Sequence, residues 1–205
     1  MDPQRRVALV AGADFYVGPD LARVLAARGH DLVLGNPNPA LVEELTSTGT
    51  EIEVVTGTRD LADPAASRKL VDAALAGFGR IDSATAFTGV IVTGRFMNAA
   101  VEDFDAVLRG CMIAPFHFMQ AVIKPMIERG DGQVLVITSA SAARATPGAP
   151  LYSAARAGAT HLVRNVASEV ARNGVRTPDP DLARSRHAIA EREHSCRLMA
   201  VSLRR

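Results

Sequence analysis

The chain alternates between short, continuous apolar runs and longer stretches in which apolar residues recur at helical spacing. Five of the apolar runs have the length and composition of strands buried on both faces. They lie at residues 7–10, 32–34, 52–55, 83–87 and 134–137. The helical stretches lie at residues 21–28, 39–45, 65–78, 101–129 and 152–173. Strands that alternate with helices of this length predict an α/β fold with a doubly wound parallel sheet of about five recognisable strands.

Capping residues and prolines indicate where several helices begin or bend. Asn38 and Asp63 each precede a proline, and their side chains suit the caps of the helices that follow. Pro115 and Pro125 fall within the stretch 101–129, where each removes a backbone N–H donor. We therefore expect the first of the two long helices to be kinked or broken at these prolines.

Composition and charge exclude several classes of protein. With 205 residues, 48% of them hydrophobic and 22% charged, the chain suits a single α/β domain. The formal net charge of +1 gives no electrostatic reason to expect nucleic acid or a membrane as a partner. No apolar run is long enough to predict a membrane span, and no histidine spacing predicts a metal site. Cys111 and Cys196 form no CxxC pair, and without a sign of secretion we expect a cytoplasmic protein.

The composition changes after Arg176. Residues 1–176 carry the alternating pattern of one domain, whereas residues 177–205 form an atypical polar, arginine-rich tail. Pro178 and Pro180 stand where the next strand would continue, and two prolines so close together do not suit a central parallel strand. We therefore expect the final strands of the sheet to be missing. One hypothesis is a change of reading frame near Arg176, which the nucleotide sequence around that codon would test.

The loop between the first strand and the first helix has the features of a nucleotide-binding turn. It reads Ala-Gly-Ala-Asp-Phe-Tyr-Val-Gly over residues 11–18. Glycines permit a tight turn and the close approach of a pyrophosphate, which the N–H groups of the helix N-terminus then bind. The loop predicts a Rossmann-type dinucleotide site at Gly12, Tyr16, Val17 and Gly18. Two glycines at this spacing also occur in ordinary loops, so the prediction needs support from other residues.

Residues after the second and third strands bear on the adenosine end of a dinucleotide. Asp60 and Leu61 follow the third strand, where a carboxylate can accept a hydrogen bond from the adenine amino group. An isolated aspartate at this place is as well explained as a helix cap or a surface carboxylate. The second strand ends at Asn36, with neither the carboxylate that holds ribose hydroxyls nor the arginine that accepts the phosphate of NADP. The choice between NAD and NADP therefore stays open.

Three residues near the fifth strand form a candidate catalytic group. Ser139 follows that strand, and Tyr152 begins the next helix thirteen residues later. Arg156 lies four residues after Tyr152 and so shares its helix face. A tyrosine hydroxyl can exchange a proton with a carbonyl oxygen when a nearby cation lowers its pKa. The alternative for Tyr152 alone is a core tyrosine beside an incidental arginine.

The combined pattern resembles the short-chain dehydrogenase/reductase family from about residue 6 to residue 176. The matching residues stand where this family carries its glycine, cofactor and catalytic motifs. They are Gly12, Gly18, Asp60-Leu61, Phe78-Gly79-Arg80-Ile81-Asp82, Gly89, the run from Gly132 to Ser139, and Tyr152-Ser153-Ala154-Ala155-Arg156-Ala157-Gly158. The resemblance implies hydride transfer between NAD or NADP and a small-molecule alcohol or ketone. It also implies a homo-oligomer in which the two long helices pair two subunits.

The resemblance also implies roles for individual residues. Ser139 would orient the substrate carbonyl, and Tyr152 would be the acid/base. Arg156 would lower the pKa of Tyr152 and, with Tyr152, hold the nicotinamide ribose. Gly89 is the glycine retained from the Asn-Asn-Ala-Gly motif of the family and belongs to the same cofactor site.

Several positions depart from the family pattern. Tyr16 replaces the middle glycine of the turn, and Cys111 replaces an asparagine that serves a proton relay. Arg156 replaces a lysine; the positive charge stays, but the guanidinium is larger and does not give up a proton. Two functions follow from the sequence. The first is an NAD(P)-dependent oxidoreductase, and the alternative is an impaired pseudoenzyme or truncated product with weak or no cofactor binding.

Overall fold

The structure is a computed structural model that describes residues 5–177. Its strands are β1 (Arg6–Val10), β2 (His30–Gly35), β3 (Ile52–Val55), β4 (Ser83–Phe87), β5 (Gly132–Ile137) and β6 (Val175–Arg176). Its helices are α1 (Gly18–Ala27), α2 (Pro39–Ser47), α3 (Pro64–Phe78), α4 (Val101–Leu108), α5 (Ala114–Arg129) and α6 (Pro150–Val170). Strands and helices alternate from the start, as the apolar pattern predicts.

All six strands are parallel and follow the spatial order β3-β2-β1-β4-β5-β6. The chain therefore winds outward from β1 in one direction and then from β4 in the other. Such a reversal opens a crevice at the carboxyl ends of β1 and β4, which is where doubly wound sheets bind ligands. The predicted α/β, Rossmann-like fold is confirmed.

The sixth strand corrects one detail of the sequence prediction, which recognised about five strands. Val175 and Arg176 pair with Gly132 and Gln133 at the beginning of β5. The sequence identified these two residues only as the entry to a missing strand. The proposed change of reading frame and the remainder of the polar tail lie outside the described residues.

Side chains from alternate positions of the central strands fill two apolar layers, one on each face of the sheet. On one face Leu9 and Val33 pack in a cluster with Phe118 of α5 and with residues of α3 and α6. On the other face Ala8 and Leu32 belong to a cluster that includes residues of α1 and α2. Both faces are buried, which explains why these strands read as continuous apolar runs.

Local signals set the helix boundaries largely as predicted. The Asn38 side chain accepts a hydrogen bond from the Ala40 amide at 2.9 Å, and the Asp63 side chain accepts one from the Ala65 amide at 2.8 Å. Both predicted caps are therefore confirmed, since each satisfies an N–H in the first helical turn.

The first long helix is interrupted rather than straight. Residues Arg109–Ile113 form a π-helical turn between α4 and α5, in which the Ala114 amide bonds to the Arg109 carbonyl. Pro115 follows directly and has no N–H to continue an α-helical ladder. Pro125 lies inside α5 without ending it. The predicted break therefore occurs beside Pro115, whereas α5 continues through Pro125.

Taken together, the helical segment Val101–Arg129 is long and apolar enough to cross a membrane by length and composition. The sequence prediction that no stretch reaches this length is wrong for this segment. Phe118, Val122 and Met126 of the segment pack in the main core cluster against the sheet. A core helix of a globular domain passes the same test of length and composition.

Asp82 ties the amino end of β4 to β1, at the edge of the sheet opposite the crevice. Its carboxylate accepts hydrogen bonds from the Val7 amide at 2.8 Å, from Arg80 Nε at 2.9 Å and from Arg129 Nη1 at 2.9 Å. Burial alone would raise the pKa of Asp82, but these donors and the two positive charges outweigh burial and hold that pKa below its ordinary value. The charged form is thus the stable one in the folded chain.

Candidate active site

The turn between β1 and α1 leaves room for a phosphate group. A methyl group added at Gly12 would meet no atom within 4 Å, whereas one at Gly18 would overlap the carbonyl of Gly12. Gly18 therefore lets α1 begin close against the turn, and Gly12 keeps the approach open. The cap residue Val17 has no side-chain acceptor for the first amides of α1. The turn thus fits the pyrophosphate of a dinucleotide.

An aromatic cluster of Phe15, Tyr16 and Phe87 lies over this crevice. The Tyr16 ring stands 4.7 Å from the Phe87 ring, centroid to centroid, at an interplanar angle of 30°. Phe15 is 5.7 Å from the same ring. Tyr16 has a left-handed backbone with φ +54°, a conformation that the glycine of the family pattern adopts without strain. The sequence singled out Tyr16 but not its partner Phe87, because the contact joins the loop after β1 to the last residue of β4.

Replacing Tyr16 with glycine is expected to lower the dissociation constant of the reduced cofactor about tenfold, equivalent to about 1.4 kcal/mol. The substitution removes a ring beside the pyrophosphate approach. Relief of the left-handed strain contributes about 1–2 kcal/mol, and the lost ring contacts offset about 0.5–1.5 kcal/mol of it, so stability should change little. Fluorescence titration with NADH and NADPH measures the affinity, and thermal unfolding provides the control. An unchanged or weaker affinity at unchanged stability would contradict this expectation.

The end of β2 is closely tied to its two neighbours. Asn36 has φ +48°, and its side-chain oxygen accepts hydrogen bonds from the Gly57 amide at 2.9 Å and the Thr58 amide at 3.3 Å. The Asn36 amide group also donates to Thr58 Oγ1 at 3.0 Å. A side chain at Gly35 would overlap the carbonyl of Ala11. In this family the residue at the end of β2 usually binds the ribose. Here the Asn36 side chain already uses most of its hydrogen-bonding atoms within the protein.

Asp60 and Leu61, expected at the adenine, lie just beyond β3. The Asp60 carboxylate accepts hydrogen bonds from Arg109 Nη2 at 2.7 Å and from the Ala62 amide at 3.0 Å. The bond from Arg109 holds the pKa of Asp60 below its ordinary value. Leu61 is buried in the core cluster. An adenine amino group at Asp60 would have to share the carboxylate with Arg109.

Ser139 and Tyr152 border the crevice from the side of β5 and α6. Ser139 lies two residues after the end of β5, and its Oγ accepts hydrogen bonds from Ser141 Oγ at 3.0 Å and from the Ser141 amide at 3.3 Å. Tyr152 lies in the first turn of α6 and is buried in a small cluster with Val107 and Cys111. The strand end and the helix start thus bring both residues to the same edge of the sheet.

Arg156 is fully buried one turn below Tyr152. Its Cζ lies 5.1 Å from the centre of the Tyr152 ring and 5.5 Å from the centre of the Phe87 ring. Nη2 donates to the Thr88 carbonyl, while Nε and Nη1 have no hydrogen-bond partner among residues 5–177. A methyl group at Gly89 would overlap the guanidinium, so Gly89 makes the room for Arg156. Unused buried donors indicate a place for a polar ligand group.

Cys111 occupies the π-helical turn, next to Tyr152 in the same cluster. Its Sγ lies 3.7 Å from the Val90 carbonyl, a weak contact for a thiol donor. Among residues 5–177, no group of three or more His, Cys, Asp or Glu side chains could hold a metal ion. The polar side chains that the structure brings to the crevice are therefore hydroxyls, amides, carboxylates and arginines.

Comparison with known proteins agrees with this arrangement. The family model described as short chain dehydrogenase matches residues 6–178. The chain is 31% identical over 175 residues to a 3-oxoacyl-(acyl-carrier-protein) reductase of Synechocystis sp., with 83% of this chain and 70% of the relative covered. It is 31% identical over 187 residues to an uncharacterized NAD-dependent oxidoreductase of Mycobacterium tuberculosis, with 83% and 68% covered.

A solved structure of 7 alpha-hydroxysteroid dehydrogenase, complexed with NADH and 7-oxo glycochenodeoxycholic acid, has the same fold. The TM-score is 0.77 at 25% sequence identity, and the alignment covers 84% of this chain and 68% of that chain. The family match spans nearly all the described residues, including the glycine turn and the segment from Ser139 to Arg156. The chain belongs to the short-chain dehydrogenase family.

Proposed function

We propose that the chain is an oxidoreductase in which Tyr152 exchanges a proton with the oxygen of a small alcohol or ketone. Membership of the family supports an enzyme that depends on NAD or NADP. The observation that carries the proposal is the stacking of Arg156 beneath the Tyr152 ring at the carboxyl edge of the sheet. A bound nicotinamide would supply the hydride chemistry.

Each expected cofactor residue has a place in this proposal. Gly12, Val17 and Gly18 would receive the pyrophosphate, because the turn is open and the first helical amides lack a side-chain cap. Asp60 and Leu61 would border the adenine. Asn36 would lie at the rim of the site, where its side chain is bonded to the loop after β3. It therefore has few hydrogen-bonding atoms left for a cofactor.

The nicotinamide ribose would lie at the other end of the crevice. Nε and Nη1 of Arg156 are two donors without partners in the described chain, and ribose hydroxyl oxygens can accept from them. Gly89 leaves the space in which the guanidinium lies. Ser139 would hold the substrate oxygen near the tyrosine hydroxyl, and that hydroxyl would exchange the proton.

The test is hydride transfer across a panel of small alcohols and carbonyl compounds with each cofactor, followed by the absorbance of the reduced nicotinamide. We expect a saturable rate with at least one pair of substrate and cofactor. Saturable cofactor binding without turnover on a broad panel would favour the impaired pseudoenzyme instead. An absence of saturable binding by both NADH and NADPH would remove the oxidoreductase proposal.

We also propose a homodimer through the two long helical segments. The helical segment Val101–Arg129 exposes four apolar side chains, which are Val101, Phe104, Ile113 and Phe116. An apolar cavity of about 480 Å³, lined in part by Val101 and Phe104, lies between the starts of α4 and α6. Exposed apolar patches of this kind are typical of interfaces between subunits.

Sedimentation of the full chain should therefore report a dimer, and Phe116→Glu should shift it to a monomer. The glutamate would place a charge in a face that a second copy covers. Leu75→Glu on α3 is the matched control, because Leu75 is also an exposed apolar helix residue. A monomeric wild type, or a Phe116→Glu variant that dimerises as the wild type does, would count against the interface.

A further inference from the structure

An ion pair crosses the end of β2, at the place where the adenosine ribose of a dinucleotide is recognised. Asp14 belongs to the turn after β1, Arg59 belongs to the loop after β3, and Arg59 Nη2 donates to Asp14 Oδ2. Because β2 lies between β1 and β3, the pair spans the carboxyl end of β2.

Neighbouring backbone contacts fix the pair above that strand end. The Ala13 amide donates to the Gly35 carbonyl at 2.9 Å, immediately before Asp14. The Asn36 side chain bonds to Thr58, immediately before Arg59, at 3.0 Å. Both members of the pair thus adjoin residues bonded directly to the end of β2.

Other residues at this rim provide few unpaired hydrogen-bonding atoms for a ribose. Gly35 has no space for a side chain, and the Asn36 oxygen already accepts from two backbone amides. The next carboxylate along, Asp60, is paired with Arg109. Asp14 therefore offers a carboxylate at this rim, in an ion pair that spans the end of β2.

We propose that Asp14, held in place by Arg59, accepts hydrogen bonds from the adenosine ribose hydroxyls and gives the chain a preference for NAD(H) over NADP(H). The inference rests on the proposed function, and it names the residue that decides the cofactor. The carboxylate would come from the glycine turn and not from the end of β2.

The alternative is that Arg59 binds the 2′-phosphate of NADP(H). The negative charge of Asp14 beside Arg59 favours the ribose hydroxyls of NAD(H) instead. The side chain of Asp14 is 22% exposed and that of Arg59 is 72% exposed, so the carboxylate is the more fixed member of the pair. A neutral diol can bind Asp14 while Arg59 keeps its hydrogen bond. A 2′-phosphate would bring about −1.5 to −2 charges beside Asp14 and would draw Arg59 away, leaving a half-buried carboxylate without its counter-charge.

The experiment is a fluorescence titration of the full-length chain with NADH and with NADPH. The wild type should bind NADH at least about tenfold more tightly. Asp14→Ala should weaken NADH binding about tenfold and strengthen NADPH binding, because Arg59 is then free to meet the phosphate. Asp14→Asn, which keeps the size of the side chain, should show the same direction of change if the alanine variant folds poorly by circular dichroism.

Two further variants complete the test. Combining Asp14→Ala with Arg59→Ala should abolish the gain in NADPH affinity. Glu44→Ala removes the carboxylate of another exposed ion pair, with Arg23, and should change neither affinity. Tighter or equal binding of NADPH by the wild type, or unchanged NADH affinity in both Asp14 variants, would overturn the assignment alone. Loss of saturable binding for both cofactors in the wild type would overturn the proposed function together with it.

Discussion

Replacing Tyr152 with phenylalanine is expected to lower kcat by about 10²–10⁴-fold, the usual loss when a positioned proton-transfer group is removed. The phenyl ring retains the contact with Arg156, since the cation faces the ring and not the hydroxyl. Cofactor binding should therefore remain close to that of the wild type, and the loss should appear in kcat. Steady-state kinetics with titration of NADH and NADPH separates these two quantities.

A matched control lies one residue further along α6. Ser153 carries a buried hydroxyl without a hydrogen-bond partner in the described chain, so Ser153→Ala removes a neighbouring hydroxyl at little cost to folding. This variant should retain the wild-type rate. A Tyr152→Phe variant with a near-normal rate would show that the proton is exchanged elsewhere.

Replacing Arg156 with methionine should have opposite effects on stability and on activity. The guanidinium is fully buried with two unpartnered nitrogens, and no carboxylate among residues 5–177 pairs with it. Replacing a buried ion pair with apolar residues of similar size is often neutral or stabilises a protein by about 1–4 kcal/mol, and a buried cation without a carboxylate partner also carries the cost of desolvation. Loss of the hydrogen bond to the Thr88 carbonyl offsets about 1 kcal/mol of this gain.

Activity should fall in the same variant, because the cation beneath Tyr152 and the two donors for the ribose are both lost. We expect kcat/KM to drop by about 10²-fold or more. Arg156→Lys restores a positive charge and should recover part of the rate. Chemical unfolding and kinetics on one preparation of each variant provide the measurement. A methionine variant that is both less stable and fully active would refute the role given to Arg156.

The order of elements and the location of the site could be predicted from the sequence, because both depend on local patterns. Strands buried on both faces require continuous apolar runs, and Asn38 and Asp63 act on the turn that directly follows them. The carboxyl ends of parallel strands meet at one edge. Residues that closely follow the strands, such as Ser139, could therefore be placed at the crevice without coordinates.

Other features depend on contacts between distant loops, and the sequence carried no signal for them. Phe87 meets Tyr16 only because β1 and β4 are neighbours in the sheet. Asp14 and Arg59 are 45 residues apart and meet across β2. The full burial of Arg156 was also unexpected, since it depends on the space left by Gly89.

The most direct test of the account is transfer of deuterium to a ketone substrate from NADH or NADPH that carries deuterium at both hydrogen positions of the reactive ring carbon. With the wild-type chain, mass spectrometry of the alcohol product should show one deuterium on the carbinol carbon. The Tyr152→Phe variant should form that product far more slowly. An unlabelled alcohol, or no alcohol from any ketone on the panel with saturable cofactor binding, would contradict the central claim that this crevice catalyses hydride transfer.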